Sequence, residues 1–309
     1  MQQEPINIAR RIFICALVFP FSVFIGISCN KKVPKEIPEK IKGIKTISRK
    51  HLPDELEECS GVELGKDNLL WMLNDSYNTN ELFSVDPAGR IISTIRLKGV
   101  DNNDWEDLAK DDKGNIYIGD FGNNDNDRRD LAILVIPLAD HLSNDSCKAE
   151  MILFSLEDQK EFPPKEDELH FDIEAFFVWD ESIYLFTKDR TEPFVGLTKM
   201  YQLPSKPGRY KAKYINSFYT KPDFYQGAIT SADISPDGTI VALLSNENIW
   251  LFTDFNDFDF LSGKSTCIAL QEEHQYEGLV FKDNNSLYIT NELDDDGETQ
   301  LEEILIQKQ

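Results

Sequence analysis

Five polar residues recur at comparable positions in short, mainly apolar segments of the chain. We call them the anchors: Ser60, Glu106, Glu174, Ser231 and Glu277. Each offers an oxygen ligand, and three are carboxylates that would repel one another strongly if the fold brought them to one narrow opening. Oxygen ligands without imidazole or thiolate suit a hard ion such as Ca²⁺ better than zinc. The anchors are therefore predicted to bind calcium, unless their side chains bond backbone N–H groups and water instead.

The sequence around each anchor predicts a β-hairpin. Fourteen residues after each anchor, a polar residue ends an apolar run; these partners are Asn74, Asp120, Lys188, Ser245 and Asn291. A turn rich in Asp, Asn, Gly or Ser lies between, as in residues 111–115. Strand, tight turn and strand, repeated five times, indicate an array of hairpins. Since an antiparallel hairpin brings its two ends together, the anchors and their partners are predicted to share one face.

The strands that follow each hairpin predict a closed ring. The first four hairpins are each followed by two more strands, but the 32 residues after Glu277 leave the fifth unit one strand short. The alternating residues 43–50 can complete it, which would remove two sheet edges. The predicted fold is all-β, a five-bladed β-propeller over residues 43–309. A six-bladed ring is the alternative, because the longer separations between successive anchors, 68 and 57 residues, could hold extra strands.

The order Ser, Glu, Glu, Ser, Glu over five units resembles the soluble calcium-activated apyrases, which are five-bladed propellers with a central calcium. The segments 104–109, Asp-Trp-Glu-Asp-Leu-Ala, and 276–281, Tyr-Glu-Gly-Leu-Val-Phe, carry the closest similarity, and residues 60–62 and 231–236 also fit. The same motifs are similar to those of the SdiA-regulated family of exported bacterial propellers. The resemblance runs through short motifs over about residues 55–309. It implies the fold and the calcium site more than an activity.

Candidate site residues follow from the hairpins and from this resemblance. Lys188 and Arg190 fall where apyrases have a basic pair, whereas the acidic residues 54–58 replace the basic stretch that apyrases use for phosphates. The predicted substrate-binding residues are Lys188, Arg190, Asn74, Asn291 and Trp105. The predicted catalytic residues are Asp107 and Asp120, with Glu174 as an alternative general base. Acids within two residues of an anchor could supply outer-shell contacts to the ion; these are Asp107, Asp172 and Asp233.

The N-terminal segment predicts export and lipid attachment. Arg10 and Arg11 precede an uncharged, mainly apolar run to Ser28, so residues 1–28 are predicted to be a signal peptide. Cys29 follows Gly-Ile-Ser, which resembles the bacterial lipobox, and is predicted to carry lipid in the cell envelope, on its periplasmic or surface face. The alternatives are an ordinary signal peptide or a single membrane anchor. Residues 29–42, charged and containing two prolines, are predicted to be the lipid anchor and tether.

Charge and cysteine content narrow the functions further. A formal net charge of −23 argues against nucleic acid as a partner. Outside the signal and Cys29 there are three cysteines, an odd number that excludes a complete disulfide framework.

Three functional hypotheses are compatible with these features. The first is a tethered, calcium-stabilised module that binds a small molecule or a protein at the channel mouth. The second is a calcium-dependent hydrolase of phosphoanhydrides, phosphoesters or esters, and the third is a purely structural envelope scaffold. Convergence of Lys188 and Arg190 on the calcium would favour the hydrolase, whereas scattered cations would favour the binding module.

Overall fold

Short strands bounded by turn residues build the chain, as the hairpin pattern predicts. The computed structural model describes residues 40–41, 43–76, 78–137, 145–272, 274–293 and 297–307. The predicted signal peptide, Cys29 and residues 30–39 of the tether lie outside these ranges. None of the described helices is long and apolar enough to cross a membrane.

The strands fall into five meanders, which we number in chain order. Before them come β1 (Lys40–Ile41) and β2 (Ile44–His51). Meander one contains β3 (Cys59–Leu64), β4 (Leu70–Asn74), β5 (Glu81–Val85) and β6 (Ile91–Leu97). Meander two contains β7 (Trp105–Lys110), β8 (Asn115–Asp120), β9 (Ala132–Pro137) and, after the short β10 (Ser146–Cys147), β11 (Glu150–Leu156).

The second half of the chain continues in the same way. Meander three contains β12 (Asp172–Trp179), β13 (Ser182–Lys188), β14 (Leu197–Pro204) and β15 (Gly208–Tyr219). Meander four contains β16 (Ile229–Ile234), β17 (Val241–Ser245), β18 (Asn248–Thr253) and β19 (Lys264–Ala269). Meander five contains β20 (Tyr276–Phe281), β21 (Ser286–Asn291) and β22 (Gln300–Ile306). The helices are short: α1 (Phe224–Gly227) and 3-10 turns at Asp54–Leu56, Lys66–Asn68, Glu166–Glu168 and Phe260–Ser262.

Asp and Gly residues stabilise the tight turn between β7 and β8. In the turn between β7 and β8, Asp111 Oδ1 accepts hydrogen bonds from the backbone N–H groups of Lys113 and Asn115, both at 2.9 Å. Gly114 adopts a φ of +85°, which a residue with a Cβ rarely does. The side chain of Asp111 thereby fixes the tight turn that the sequence predicts at residues 111–115.

The first and last strands of the fold pair with each other. β2 is antiparallel to β22, from Ile44 opposite Ile306 to His51 opposite Gln300, so the N-terminal strand completes meander five as predicted. β1 pairs in parallel with β19, which means that the last residues of the predicted tether belong to a sheet.

The meanders combine into four sheets of five, five, eight and four strands. The eight-stranded sheet arises because the outer strands of meanders two and three, β11 and β15, pair in parallel from Ile152 to Leu156. The sequence analysis did not predict this junction. β10 extends meander one in parallel beside β6.

The core consists of apolar layers between successive meanders. Trp71 and Trp105 lie in the layer between meanders one and two, and Phe83 and Tyr288 lie in the layer between meanders five and one. The first strands contact one another in cyclic order: β3, β7, β12, β16, β20 and again β3. Burial on both faces explains why strands such as β17 are almost wholly apolar. Cys59, Cys147 and Cys267 are buried in these layers.

Candidate functional site

A β-bulge interrupts the first strand of every meander near its anchor. The pairing of β3 with β4 passes from Cys59 to Gly61 and omits Ser60. In the same way, β12 omits Glu174 and β20 omits Glu277, while β7 omits both Glu106 and Asp107. A bulged residue leaves the hydrogen-bond ladder, bends its strand and re-aims its side chain. The anchors are thus set apart from the regular strands on which they lie.

The fourth anchor differs from the prediction by one residue. β16 omits Thr230, because its hairpin with β17 is one residue longer than those of β3 and β20. Ser231 lies one position deeper and is fully buried, where its Oγ donates to Asp107 Oδ2 at 3.1 Å and accepts from Leu279 N at 3.1 Å. Its hydroxyl thus has two protein partners, and the role of Ser231 as a calcium ligand stays a prediction.

Asp107 is a hub that bonds three of the five first strands, β7, β12 and β16. It is fully buried; Oδ1 accepts from Leu108 N at 2.8 Å, and Oδ2 accepts from Phe176 N of β12 and from Ser231 of β16. A Cβ at Gly61 of β3 would lie only 3.1 Å from Asp107 Cα, so that glycine allows the two strands to approach. Burial raises the pKa of Asp107 well above its ordinary value. The carboxyl of Asp107 is thus bonded to strands of the ring, and its catalytic role stays a prediction.

Three carboxylates beside this hub form a candidate metal centre. Asp75, Asp104 and Glu106 each place one oxygen within 4.8 Å of the others. Asp75 directly follows β4, Asp104 directly precedes β7, and Glu106 is in the bulge of β7. Gly122 borders the cluster so closely that a Cβ there would lie 1.9 Å from Glu106 Oε1. Of these acids, the sequence analysis assigned only Glu106 to the site.

Glu174 pairs with two cations of the same mouth, Lys188 and Arg190. Its Oε1 accepts from Arg190 Nη2 at 2.7 Å, and its Oε2 is 3.2 Å from Lys188 Nζ. Arg190 Nε also donates to Asp172 Oδ2 at 2.6 Å. Burial alone would raise the pKa of Glu174. Lys188, Arg190 and hydrogen bonds have the larger, opposite effect, and the pKa is lowered to about 2. Glu174 is therefore ionised and binds both predicted substrate-binding cations.

The other carboxyls of the mouth hold protons more tightly than usual. Burial, followed by the charge of Glu174, raises the pKa of Glu106 well above its ordinary value. Burial likewise raises the pKa of Asp75 to about 7 and that of Asp172 to about 8. The charge of Glu174 contributes to the raised pKa values of both Glu106 and Asp172.

Two more acids extend the site on the side of meander five. Glu277 is partly buried, and burial raises its pKa, which Lys188 opposes. Burial, with Glu277 and Asp75 nearby, raises the pKa of Glu292 to about 9. The three anchor glutamates thus interact electrostatically at one mouth, as the sequence predicts.

Several predicted residues serve the fold instead of the mouth. Asp120 is buried between Arg128, at 3.0 Å, and Asn103, at 2.8 Å. The amide of Asn291 is buried and bonds Glu292 O, Glu298 O and Gln300 N. Trp105 is fully enclosed in the core. All three side chains are buried, and those of Asp120 and Asn291 are bonded to other residues. The catalytic role of Asp120 and the substrate-binding roles of Asn291 and Trp105 stay predictions.

The remaining predicted residues divide between the two ends of the ring. Ser60 Oγ donates to Trp105 O at 3.3 Å, beside Glu106. Asn74 Nδ2 donates to Glu55 O, and its buried Oδ1 has no hydrogen-bond partner among the described residues. Ser245 Oγ donates to Gln226 O. Asp233 bonds the backbone N–H groups of Ile234 and Phe281 near the far end of β16, so it supplies no outer-shell contact to the anchors.

Comparison with known proteins supports the architecture only. No family model matches this chain, and no curated protein matches it. Among solved structures, the PQQ-bound aldose sugar dehydrogenase of Streptomyces coelicolor, a β-propeller, is similar with a TM-score of 0.50 and 9% identity over 87% of this chain and 100% of that one. The fold is all-β and propeller-like. At this identity the likeness shows the fold alone.

Two further similarities are weaker, and nothing about this chain is inferred from them. A protein described as a gluconolactonase aligns with a TM-score of 0.46 and 14% identity, over 81% of this chain and 76% of that one. The virginiamycin B lyase of Staphylococcus aureus aligns with a TM-score of 0.41 and 10% identity, over 83% of this chain and 69% of that one.

The raised pKa values predict how stability depends on pH when calcium is chelated. Asp75, Asp172 and Glu292 bind protons in the folded state up to about pH 7, 8 and 9, whereas unfolded carboxyls lose them near pH 4. The folded state therefore binds more protons in this window, and the free energy of unfolding falls as pH rises. Thermal unfolding in chelator from pH 5 to pH 9 should show a steadily falling midpoint, and Asp75→Asn should fall less. A midpoint that rises with pH would contradict these protonation states.

Proposed function

We propose that Asp75, Asp104 and Glu106 bind Ca²⁺, with Glu174 and Glu277 completing the negative field around it. The set offers only carboxylate oxygens, which calcium prefers. Gly122 supports the proposal because its missing side chain keeps the space beside Glu106 Oε1 and Asp104 Oδ2 open. The raised pKa values of Asp75 and Glu106 also support calcium binding. Carboxyls that retain protons when they lie close together gain stability when a cation replaces those protons.

We also propose that the meanders are the blades of a five-bladed propeller. The cyclic contacts of the five first strands support this number, as does the pairing of β2 with β22. A six-bladed ring would need another meander, and the described residues contain none. In this reading, the eight-stranded sheet is two blades whose outer strands pair.

The function that this geometry favours is calcium-dependent hydrolysis of an ester, phosphoester or phosphoanhydride. The convergence of Lys188 and Arg190 on Glu174, whose charge raises the pKa of Glu106 in the metal cluster, carries the proposal. A bound calcium would polarise a substrate oxygen and lower the pKa of a bound water. Lys188 and Arg190 would stabilise the charge that develops on the substrate oxygens. The partly buried carboxyl of Glu277 is the candidate for accepting the water's proton.

A binding module is the second candidate, because both cations are already paired. The side chains of Lys188 and Arg190 are only 9% and 22% exposed, and a substrate would have to compete with Glu174 and Asp172 for them. If that competition fails, calcium would order the mouth for a ligand or partner protein without catalysis. In a scaffold, calcium would only lock the blades together.

Replacing Gly122 by alanine tests the calcium site. The wild-type midpoint of thermal unfolding should rise with Ca²⁺, by about 2.7 kcal/mol in unfolding free energy when calcium is at 100 times its Kd. Gly122→Ala should lose most of this rise, because its Cβ meets Glu106 and Asp104, yet it should fold in chelator. Gly208→Ala is the matched control, because the added Cβ would lie nearest to the end of the Tyr210 side chain. An unchanged calcium response in Gly122→Ala would place the ion elsewhere.

Turnover distinguishes the hydrolase from the binding module. We expect calcium-dependent hydrolysis of at least one of three probes: 4-nitrophenyl acetate, 4-nitrophenyl phosphate and ATP. Lys188→Met should lower kcat on the order of 100-fold by removing a charge that stabilises the transition state. Lys221→Met, which removes an amine bonded to Gln226, is the matched control. Calcium binding with no turnover of any probe would favour the binding module or the scaffold.

We propose, in addition, that the protein is an exported lipoprotein held in the cell envelope through lipid on Cys29. The basic and apolar residues before Cys29 and the pairing of residues 40–41 with β19 support a tether that ends on the folded domain. The wild-type protein should incorporate labelled palmitate and fractionate with membranes, and Cys29→Ala should do neither. Retention of Cys29→Ala in membranes without label would indicate a spanning anchor instead.

A further inference from the structure

A cavity lies at the end of the ring opposite the anchors. Its volume is about 460 Å³, within the range of small-molecule sites. Every first strand contributes a residue near its C-terminal end; these are Leu64, Lys110, Val178, Ile234 and Phe281. Since the anchors are near the beginnings of the same strands, the cavity is axial and faces away from the proposed calcium site. Exposed turn residues such as Asp112, Lys113 and Pro236 form its rim.

Two tryptophans form part of the cavity wall. Trp71 is almost fully buried and Trp179 is half-buried, and Ile116 and Phe281 add apolar surface beside them. The indole of Trp179 lies against Gly238, where a Cβ would approach its Cζ2 to 2.4 Å. Gly238 adopts a φ of +68° in the turn after β16, so that the turn and the indole fit each other. Contact with this turn positions Trp179 before any ligand arrives.

The polar part of the lining is an acid-rich group. Glu63, 4% exposed, accepts at Oε1 from Lys110 Nζ at 2.9 Å and from Leu64 N at 2.6 Å. Burial raises the pKa of Glu63 even though Lys110 opposes the shift, so one ammonium does not offset the desolvation of this carboxylate. Burial, with Glu63 nearby, raises the pKa of Asp233 to about 8, so the surrounding cations do not offset the burial of either carboxyl. The other acids of the lining are Asp67, Asp111 and Asp112, and its cations are Lys66, Lys110 and Lys113.

We propose that this cavity binds an organic cation: an ammonium group on an apolar or aromatic body. The ammonium is attracted by Glu63 and Asp233, and the indole faces of tryptophan attract cations as well. The apolar body fills the space beside Trp71, Trp179 and Phe281. An anion is repelled by the same carboxylates, and a neutral ligand of equal size gains only the apolar contacts. The site is separate from the proposed calcium centre and does not depend on it.

Three probes with the same ring test the proposal on the full-length protein. We would measure the binding of 2-phenylethylammonium, 2-phenylethanol and 3-phenylpropanoate by equilibrium dialysis, with tryptophan fluorescence as a second readout. The cation should bind at least about tenfold more tightly than the other two, a difference of about 1.4 kcal/mol. Glu63→Gln should remove most of this preference. Trp179→Leu should weaken all three probes, because every ring loses the indole.

Matched controls separate a local effect from loss of the fold. Glu81→Gln removes a surface carboxyl that pairs with Arg96, so binding of the cation should be unchanged. A single cooperative thermal unfolding transition close to that of the wild type should persist in Glu63→Gln and in Trp179→Leu, which shows that each variant is folded. Three outcomes would overturn the proposal: equal binding of the three probes, no binding of the cation, or cation binding that neither variant changes.

Discussion

The carboxylate of Asp107 is the interaction on which the centre of the ring depends. Its hydrogen bonds reach β7, β12 and β16, and Ser231 extends the network to Leu279 of β20. A buried carboxyl is costly unless its oxygens are bonded, and here both are. The hub therefore holds the first strands at a fixed spacing. That spacing brings Glu106, Glu174 and Glu277 close enough for their charges to interact.

The charged side chains pair differently at the two ends of the ring. At the anchor end, Glu174 takes both cations, Lys188 and Arg190, and leaves Asp75 and Glu106 with raised pKa values. At the opposite end, Lys110 pairs with Glu63 beneath apolar walls. The first arrangement suits a small hard cation, because several carboxylate oxygens converge there. The second suits a larger cation with an apolar body.

The hairpin repeat was sufficient to predict the meanders, the closing strand and the convergence of the glutamates. Strand periodicity and turn residues are local signals, and the ring follows from their repetition. One extra residue in the β16 hairpin shifts the bulge from Ser231 to Thr230, which spacing alone does not reveal. Asp107 and Glu106 are adjacent and both bulged, and only the three-dimensional packing shows which of them turns inward.

Other features depend on loops and on contacts between distant segments. Asp75 and Asp104 lie just outside strands, so a search anchored on strands passes over them, although an acid directly beyond the end of an inner strand is a usable signal. The β11–β15 junction pairs strands from two meanders in parallel, and its register depends on how the meanders pack. The opposite cavity likewise appears only when five strand ends are brought together.

The most direct test of the calcium centre is a crystal structure of the protein soaked with Tb³⁺, a calcium substitute with strong anomalous scattering. The account predicts one dominant anomalous peak in contact with carboxylate oxygens of Asp75, Asp104 and Glu106, at the mouth of a ring of five blades. A dominant peak at another site, or none at saturating Tb³⁺, would contradict it.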